Sequence, residues 1–187
     1  MSSNILPLQL PYYKGTGGKW GALQVRLQEP HYYCPKCKKY RDYESAFPPD
    51  NCPKCGYQDR FESREGCLFF EICSTIGKNK YGWDNKIIMA FSTKDQAKML
   101  SFMETGQTGE TLKIFHDPGA KSATQGQTSK SLEMYTKDGS RKGCMLTVTQ
   151  TDKGEDPVTH KVPLDGNELK EFSVCIRAAI PKCLNWS

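Results

Sequence analysis

The chain has 187 residues, with 26 Lys and Arg against 21 Asp and Glu, for a net charge of +5. This length can bury one sizeable core, and the mild basic excess suits a phosphate-backbone partner without demanding one. No apolar run approaches about 18 residues, and Met1–Pro7 has neither the pattern of a secretory signal nor that of an Arg-rich transit peptide, so the sequence predicts no membrane segment and no secretion.

Residues 1–18 end in Tyr12-Tyr13-Lys14-Gly15-Thr16-Gly17-Gly18, too glycine-rich for a helix. They read as a flexible arm, either a plain tail or one whose cation and aromatics touch nucleic acid. Residues 19–29 alternate, with Trp20, Ala22 and Gln24 on one face and Leu23, Val25 and Leu27 on the other, which predicts a strand closed by Pro30.

An insert at 31–60 follows. Cys34-Pro-Lys-Cys37 and Cys52-Pro-Lys-Cys55-Gly56 are two knuckles separated by fourteen residues. Each knuckle aims two thiolates from one tight turn at one ion, and two knuckles complete a tetrahedral four-cysteine site suited to Zn2+. Lys36, Lys38, Lys39 and Lys54 beside the sulfurs offset the negative charge of a tetrathiolate centre. With all four positions filled by protein, the ion is expected to be structural, a staple for a small insert without its own core. A redox dithiol and an iron–sulfur cluster are the rival readings. His31 is either a fifth candidate ligand or a surface histidine. The ribbon's lysines, Tyr40, Arg41 and Tyr43 can hold phosphates and stack bases, or only balance the metal site, or dock a protein such as a polymerase.

Nine cysteines would otherwise suggest disulfides, but five of them (Cys67, Cys73, Cys144, Cys175, Cys183) are scattered. The odd remainder and the metal-type spacing favour a reducing, intracellular compartment: cytoplasm, nucleus or organelle, or host cytoplasm for a viral chain.

Residues 57–64 can return from the ribbon as a strand. Cys67–Ile76 is a strong aromatic and β-branched strand, followed by a basic aromatic hairpin at Gly77–Trp83. The strand from Lys86 to Phe91 reads as buried. Ser92 or Thr93 then caps a helix with Asp95 in its first turn, an apolar stripe of Ala97, Leu100, Phe102 and Met103, and a stop at Gly106. Leu112–Pro118 is a strand, 118–127 a polar loop, Leu132–Thr136 a strand and Lys137–Gly143 an Asp-Gly hairpin. Cys144–Gln150 and Val158–Leu164 are strands joined by a charged turn. Asp165, with Glu168 three residues on, caps a final helix carrying Leu169, Phe172, Val174, Cys175, Ile176, Ala179 and Ile180, with Pro181 interrupting its end. The pattern is four strands and a helix, twice, in an α+β fold.

Tyr81-Gly82-Trp83, the strand and capped helix after it, and Phe115-His116-Asp117-Pro118 together resemble the Whirly family of single-stranded nucleic-acid binding proteins. In that family a Tyr-Asp-Trp turn leads to a strand, a capped helix and Phe-His-Asp-Pro; here Gly82 replaces the acid. Gly18–Val25 resembles the family's opening Lys-Gly-Lys-Ala-Ala-Leu strand with the lysines displaced, and Glu168–Trp186 its closing helix. The resemblance implies a Whirly-like duplicated fold over 19–187, interrupted by the 31–60 ribbon between its first two strands. It also implies tetramers, and single-stranded DNA bound along sheet surfaces and between subunits with little sequence preference, in replication, recombination or repair. The alternatives are RNA binding and annealing, a transcription-associated factor whose ribbon docks a polymerase, and a zinc-dependent adaptor.

The sequence contains no phosphate-binding Gly-rich loop, no Gly-x-Ser-x-Gly elbow and no His-Glu-x-x-His helix, so no enzyme is expected. His116 and Asp117, adjacent on a strand, point to opposite faces and read as turn-capping residues. Single-strand binding needs stacking platforms and cations that track phosphates. The stacking candidates are Trp20, Phe69, Tyr81, Trp83, Tyr135 and Met145. The backbone-contact candidates are Lys19, Lys78, Lys80, Lys130, Arg141 and Lys142. For Phe69 and Trp83 a packing role competes; Tyr81, on a hairpin beside two lysines, favours contact.

Overall fold

In a computed structural model of the chain, residues 9–14, 20–37, 39–42, 51–52, 55–58, 62–117 and 128–184 are described. The first of these segments is a strand, β1 (Gln9–Tyr13), which lies at a sheet edge and pairs antiparallel with β2 (Gly21–Gln28). The flexible-arm reading is therefore corrected for residues 9–14. Leu10 and Tyr12 alternate inward, Tyr12 is buried, and the glycine run that argued for an arm begins only after Lys14. Lys14 is tied to Glu168 at 2.5 Å. Residues 1–8 and 15–19, Lys19 among them, lie outside the described residues.

β2 runs into the insert, where β3 (His31–Cys34), β4 (Lys39–Asp42) and β5 (Glu62–Arg64) form a small sheet in the order β4-β3-β5. The chain then returns as β6 (Cys67–Gly77), which pairs along the whole length of β2, from Gly21↔Ser74 to Gln28↔Cys67. Three residues further along both strands His31 pairs with Arg64, so the ribbon continues the β2–β6 hairpin. The returning strand predicted at 57–64 thus belongs to the ribbon, and β1 takes the fourth place in the main sheet. Gly66 has no room for a side chain here. A Cβ would stand 2.6 Å from the Gln28 carbonyl oxygen and 2.8 Å from Cys183 Cα, and its N–H donates to the Cys183 carbonyl.

β7 (Lys80–Tyr81) and β8 (Ile87–Phe91) both pair with β6 and complete the first sheet. Ser92 then caps α1 (Thr93–Thr105) in a reciprocal box with Asp95, each side chain satisfying the other residue's backbone N–H. The buried face of α1 is Gln96, Met99, Phe102 and Met103. Ala97, expected in the stripe, is exposed, and Leu100 only half-buried. Gln96 takes the inward position because its amide donates to the Phe91 carbonyl at 3.0 Å and reaches Cys183 Sγ at 3.5 Å.

The second sheet is a meander of β9 (Thr111–His116), β10 (Thr128–Tyr135), β11 (Gly143–Asp152) and β12 (Val158–Asp165), in the order β12-β11-β10-β9. Asp165 and Glu168 form the capping box of α2 (Gly166–Cys183). Leu169, Phe172, Ile176, Ala179 and Cys183 recur every three or four residues and are buried, whereas Val174 falls on the opposite side of the helix and is 60% exposed. Pro181 does not interrupt the helix: it sits in the last turn, where only one backbone bond is forfeited. The inner faces of both sheets, α1 and α2 share one core, built around Phe70, Phe91, Phe172, Met89, Met99, Leu132 and Leu146. No helix among the described residues is long and apolar enough to cross a membrane.

His160 fastens the two sheets. Its Nε2–H donates to the Asn85 carbonyl at 2.9 Å, which leaves Nδ1 to accept from the Ser74 hydroxyl at 2.8 Å. Beside it Gly21 is required, since a Cβ would lie 1.9 Å from the Cys73 carbonyl oxygen and 3.3 Å from that of Lys161. His160→Ala is expected to forfeit both hydrogen bonds and the packing of this buried ring and to cost about 2–3 kcal/mol, read as a lower urea midpoint at unchanged slope.

Candidate metal centre and nucleic-acid interface

Cys34 ends β3 and Cys37 lies three residues on, across a turn. At the second knuckle Gly56, with φ +65°, lets its N–H reach back to the Cys52 carbonyl at 2.7 Å. The four thiols converge. Their sulfurs all lie within 4.8 Å of one another, with Cys34–Cys55 at 3.7 Å and Cys37–Cys52 at 3.6 Å. A tetrahedron with metal–sulfur bonds of about 2.3 Å has edges of about 3.8 Å, so this cage fits one ion such as Zn2+. Without a cation, burial, reinforced by the three neighbouring thiols, pushes the Cys55 thiol up to about 11. A metal must therefore displace protons to bind.

His31 is neither a surface residue nor a member of the cage. It is buried, with Nδ1 3.3 Å from the Gln28 amide nitrogen and from the Glu29 carbonyl oxygen, because β3 turns it towards the base of the ribbon. Tyr32 packs inside the ribbon against Cys34 and Cys52. Lys36 is exposed at the first knuckle; Lys38, Tyr43 and Lys54 lie outside the described residues, as do the side chains of Lys39, Tyr40 and Arg41.

The proposed stacking and phosphate-contact residues fall in three places. On the β6–β7 hairpin, Lys78 and Lys80 are exposed, and the Tyr81 ring packs 5.1 Å from Tyr13, itself 55% exposed. Trp83 is half-buried in a single 3-10 turn behind them. On the second sheet's outer face, Tyr135 pairs with Met145 across β10–β11, and both line a cleft of about 420 Å³ with Lys142. Arg141 is exposed beside it. On the first sheet's outer face Phe69 is half-buried. It lines a cleft of about 570 Å³ with Ile88, Ala90, His116 and Lys130, and the Lys130 ammonium donates to the Ile88 carbonyl at 2.8 Å. Trp20 is half-buried, and its carbonyl accepts from the Thr75 N–H and hydroxyl.

The sequence reading missed a charged cluster on the same outer face. Glu71 is buried, and its two carboxylate oxygens are taken by Arg26 and by Lys86, the latter at 2.5 Å. Burial alone would raise the Glu71 carboxyl, but the Lys86 hydrogen bond and the Arg26 charge outweigh it and hold the group below its usual value. Arg26 and Lys86 are thereby fixed beside Phe69 and Ile88. A charged residue inside an apolar strand was the available signal. Phe115, 65% exposed, was also missed.

The turn that His116 and Asp117 are expected to cap, from Pro118 on, lies outside the described residues; among them His116 has another role. Its Nε2 lies 3.2 Å from the Asp95 carboxylate and its ring packs on Phe91, so it pins the end of β9 to the start of α1.

Two antiparallel sheets, two box-capped helices and a four-cysteine insert in the central hairpin define an α+β protein with open sheet faces. Residues 52–175 match the family model described as Whirly transcription factor, and the chain belongs to that family. Its fold is that of WHY1 from Arabidopsis thaliana, at 18% identity and a TM-score of 0.69 over 96% of this chain and 86% of that one. WHY3 from the same plant gives 15% and 0.68 over 96% and 89%. The plant transcriptional regulator PBF-2 gives 19% and 0.70 over 97% and 84%. No curated protein sequence matches the chain.

Proposed function

We propose that this Whirly-family protein binds single-stranded DNA with little sequence preference, in replication, recombination or repair. In this reading it works as a homo-oligomer, a tetramer by family resemblance, in a reducing compartment, with one structural Zn2+ held by Cys34, Cys37, Cys52 and Cys55. The observation that carries the reading is the recurrence of half-buried or exposed aromatic or thioether groups next to cations on both sheets: Phe69 beside Arg26, Tyr135 and Met145 beside Lys142, and Tyr81 beside Lys80. Every base has a face to stack and every nucleotide a phosphate, so such pairs hold a strand without reading it, at about 1–3 kcal/mol per stacked base. A transcription-associated role, with the ribbon docking a polymerase, is the second reading, favoured by the description of the family.

The test is fluorescence anisotropy of labelled dT at two salt concentrations, against matched RNA and duplex DNA. Preference for dT, weakened by salt, is expected; equal or tighter binding to RNA would move the assignment to an RNA binder, and no binding would sink it. In the same assay the double reversal Lys78→Glu with Lys80→Glu should weaken dT binding. It should also flatten the salt dependence by about 1.4 in the slope of log K, at about 0.7 per lost single-strand phosphate contact. An unchanged slope would remove that hairpin from the site.

A further inference from the structure

We propose that the zinc ribbon lengthens the single-strand track: a strand lying on Phe69 continues into the cleft at the ribbon's base, where Tyr33 and Arg64 receive the next nucleotides. This rests on the single-strand reading above. The cleft holds about 390 Å³ and is lined by Gln28, Tyr33, Arg64, Glu65, Cys67 and Phe69, with His31 at its floor. Phe69 is also a wall of the 570 Å³ cleft that runs to Lys130. The two clefts are therefore consecutive on the outer face of β6, with Phe69 between them and Arg26 as its cross-strand neighbour.

The chemistry repeats along this path. Lys130 stands at one end, Phe69 with Arg26 at the middle, and Tyr33 with Arg64 at the other end, where the guanidinium carbon lies 5.4 Å from the ring centroid. An arginine seated on an aromatic face offers a flat surface for a base and donors for a phosphate. Glu65, exposed at the rim, repels phosphate and leaves the strand's backbone on the side of Arg64 and Arg26. The five steps along the chain from Phe69 to Arg64 span at most about 17 Å at ~3.3 Å each, so the ribbon adds more than one nucleotide to the path. The matched pairing of Gln28 with Cys67 and of His31 with Arg64 keeps both clefts in line, and Gly66 anchors the joint to the end of α2.

The experiment uses the full zinc-loaded chain and dT oligonucleotides of about 8 and about 16 nucleotides. Wild type should bind the longer one far more tightly. Arg64→Glu and Tyr33→Leu, each checked for retained zinc, should lose about tenfold on the longer oligonucleotide and less than about twofold on the shorter. Photocrosslinking of the unaltered chain to a bromodeoxyuridine-containing long oligonucleotide should place adducts on the peptide bearing Tyr33. Wild-type affinity of both variants at both lengths, or adducts confined to Phe69 and the β6–β7 hairpin, would overturn the ribbon track and leave the single-strand reading standing. Failure of wild type to bind either oligonucleotide would overturn both.

Discussion

Cys34→Ser or Cys52→Ser is expected to release the metal and unfold the ribbon while the two-sheet core stays folded. The buried cluster of the ribbon is Tyr32, Cys34 and Cys52, with Cys37, Cys55 and Tyr57 packed against it; no aliphatic side chain among the described residues joins them. Among the described residues, the main core contains none from the ribbon. Ligation is therefore expected to hold this cluster together, and structural zinc supplies about 10–16 kcal/mol of apparent binding energy in isolated fingers at neutral pH. Losing one of four thiolates is expected to forfeit much of that. Metal content should drop from one ion per chain to near none, and amide exchange in β3–β5 should become fast while the inner strands of both sheets stay protected. Cys175→Ser, on a half-buried thiol of α2 outside the cage, should keep its metal. Acid should act like the ligand substitutions. The Cys55 thiol is pushed up to about 11 without metal, so below that pH binding must expel its proton, and metal affinity must fall as pH falls. A ribbon that retained its exchange protection after Cys34→Ser would show that packing, not the ion, holds it.

What was legible in the sequence was local. The two knuckles were readable because ligation dictates their spacing. The boxes Ser92–Asp95 and Asp165–Glu168 were readable because cap and partner lie within one turn. Gly139, with φ +88°, sits where the Asp-Gly signal put the β10–β11 hairpin. What escaped depended on residues far apart in the chain. β1 has too short an apolar alternation to outweigh the glycines after it, and its order comes from Leu23 and Val25 of β2 and from Phe172. Gln96 falls outside the predicted stripe because a polar side chain takes the inward position only through its partners Phe91 and, 87 positions away, Cys183. Nothing near His160 in sequence announces that it joins Ser74 to Asn85. Among the candidate contact residues, Lys78, Lys80 and Tyr81 could be grouped from sequence because they adjoin there. Arg26 and Lys86 could not, because only pairing of β2, β6 and β8 brings them to Glu71.

Phe172→Ala should be the most damaging single core truncation in α2. Phe172 is fully buried, 5.3 Å from the Phe70 ring and 6.2 Å, edge to face, from Tyr12. It thus touches the centre of β6 and the inward side of β1 at once. Truncation removes its transfer energy, two aromatic contacts and the support of a ring that cannot collapse into the gap, because Phe70 is itself wedged against Phe91 at 4.4 Å. The expected loss is about 3–5 kcal/mol. For a domain of this size that corresponds to a fall in Tm of roughly 6–20 °C, at about 2–4 °C per kcal/mol. The consequence should be uneven along the chain. β2 and β6 keep each other's backbone bonds, but β1 is an edge strand whose inward anchor is Tyr12, and burial, with Glu171 nearby, already raises that phenol above its usual range. With Phe172 gone, β1 loses its aromatic anchor on α2, and the partly exposed Lys14–Glu168 pair that also joins them contributes little. Hydrogen exchange should therefore accelerate first in Gln9–Tyr13. Val174→Ala, two residues away on the exposed side of the same helix, should change stability by no more than about 0.5 kcal/mol. Equal losses in the two variants would mean that Val174 is covered in solution, as by a second copy of the chain at this helix.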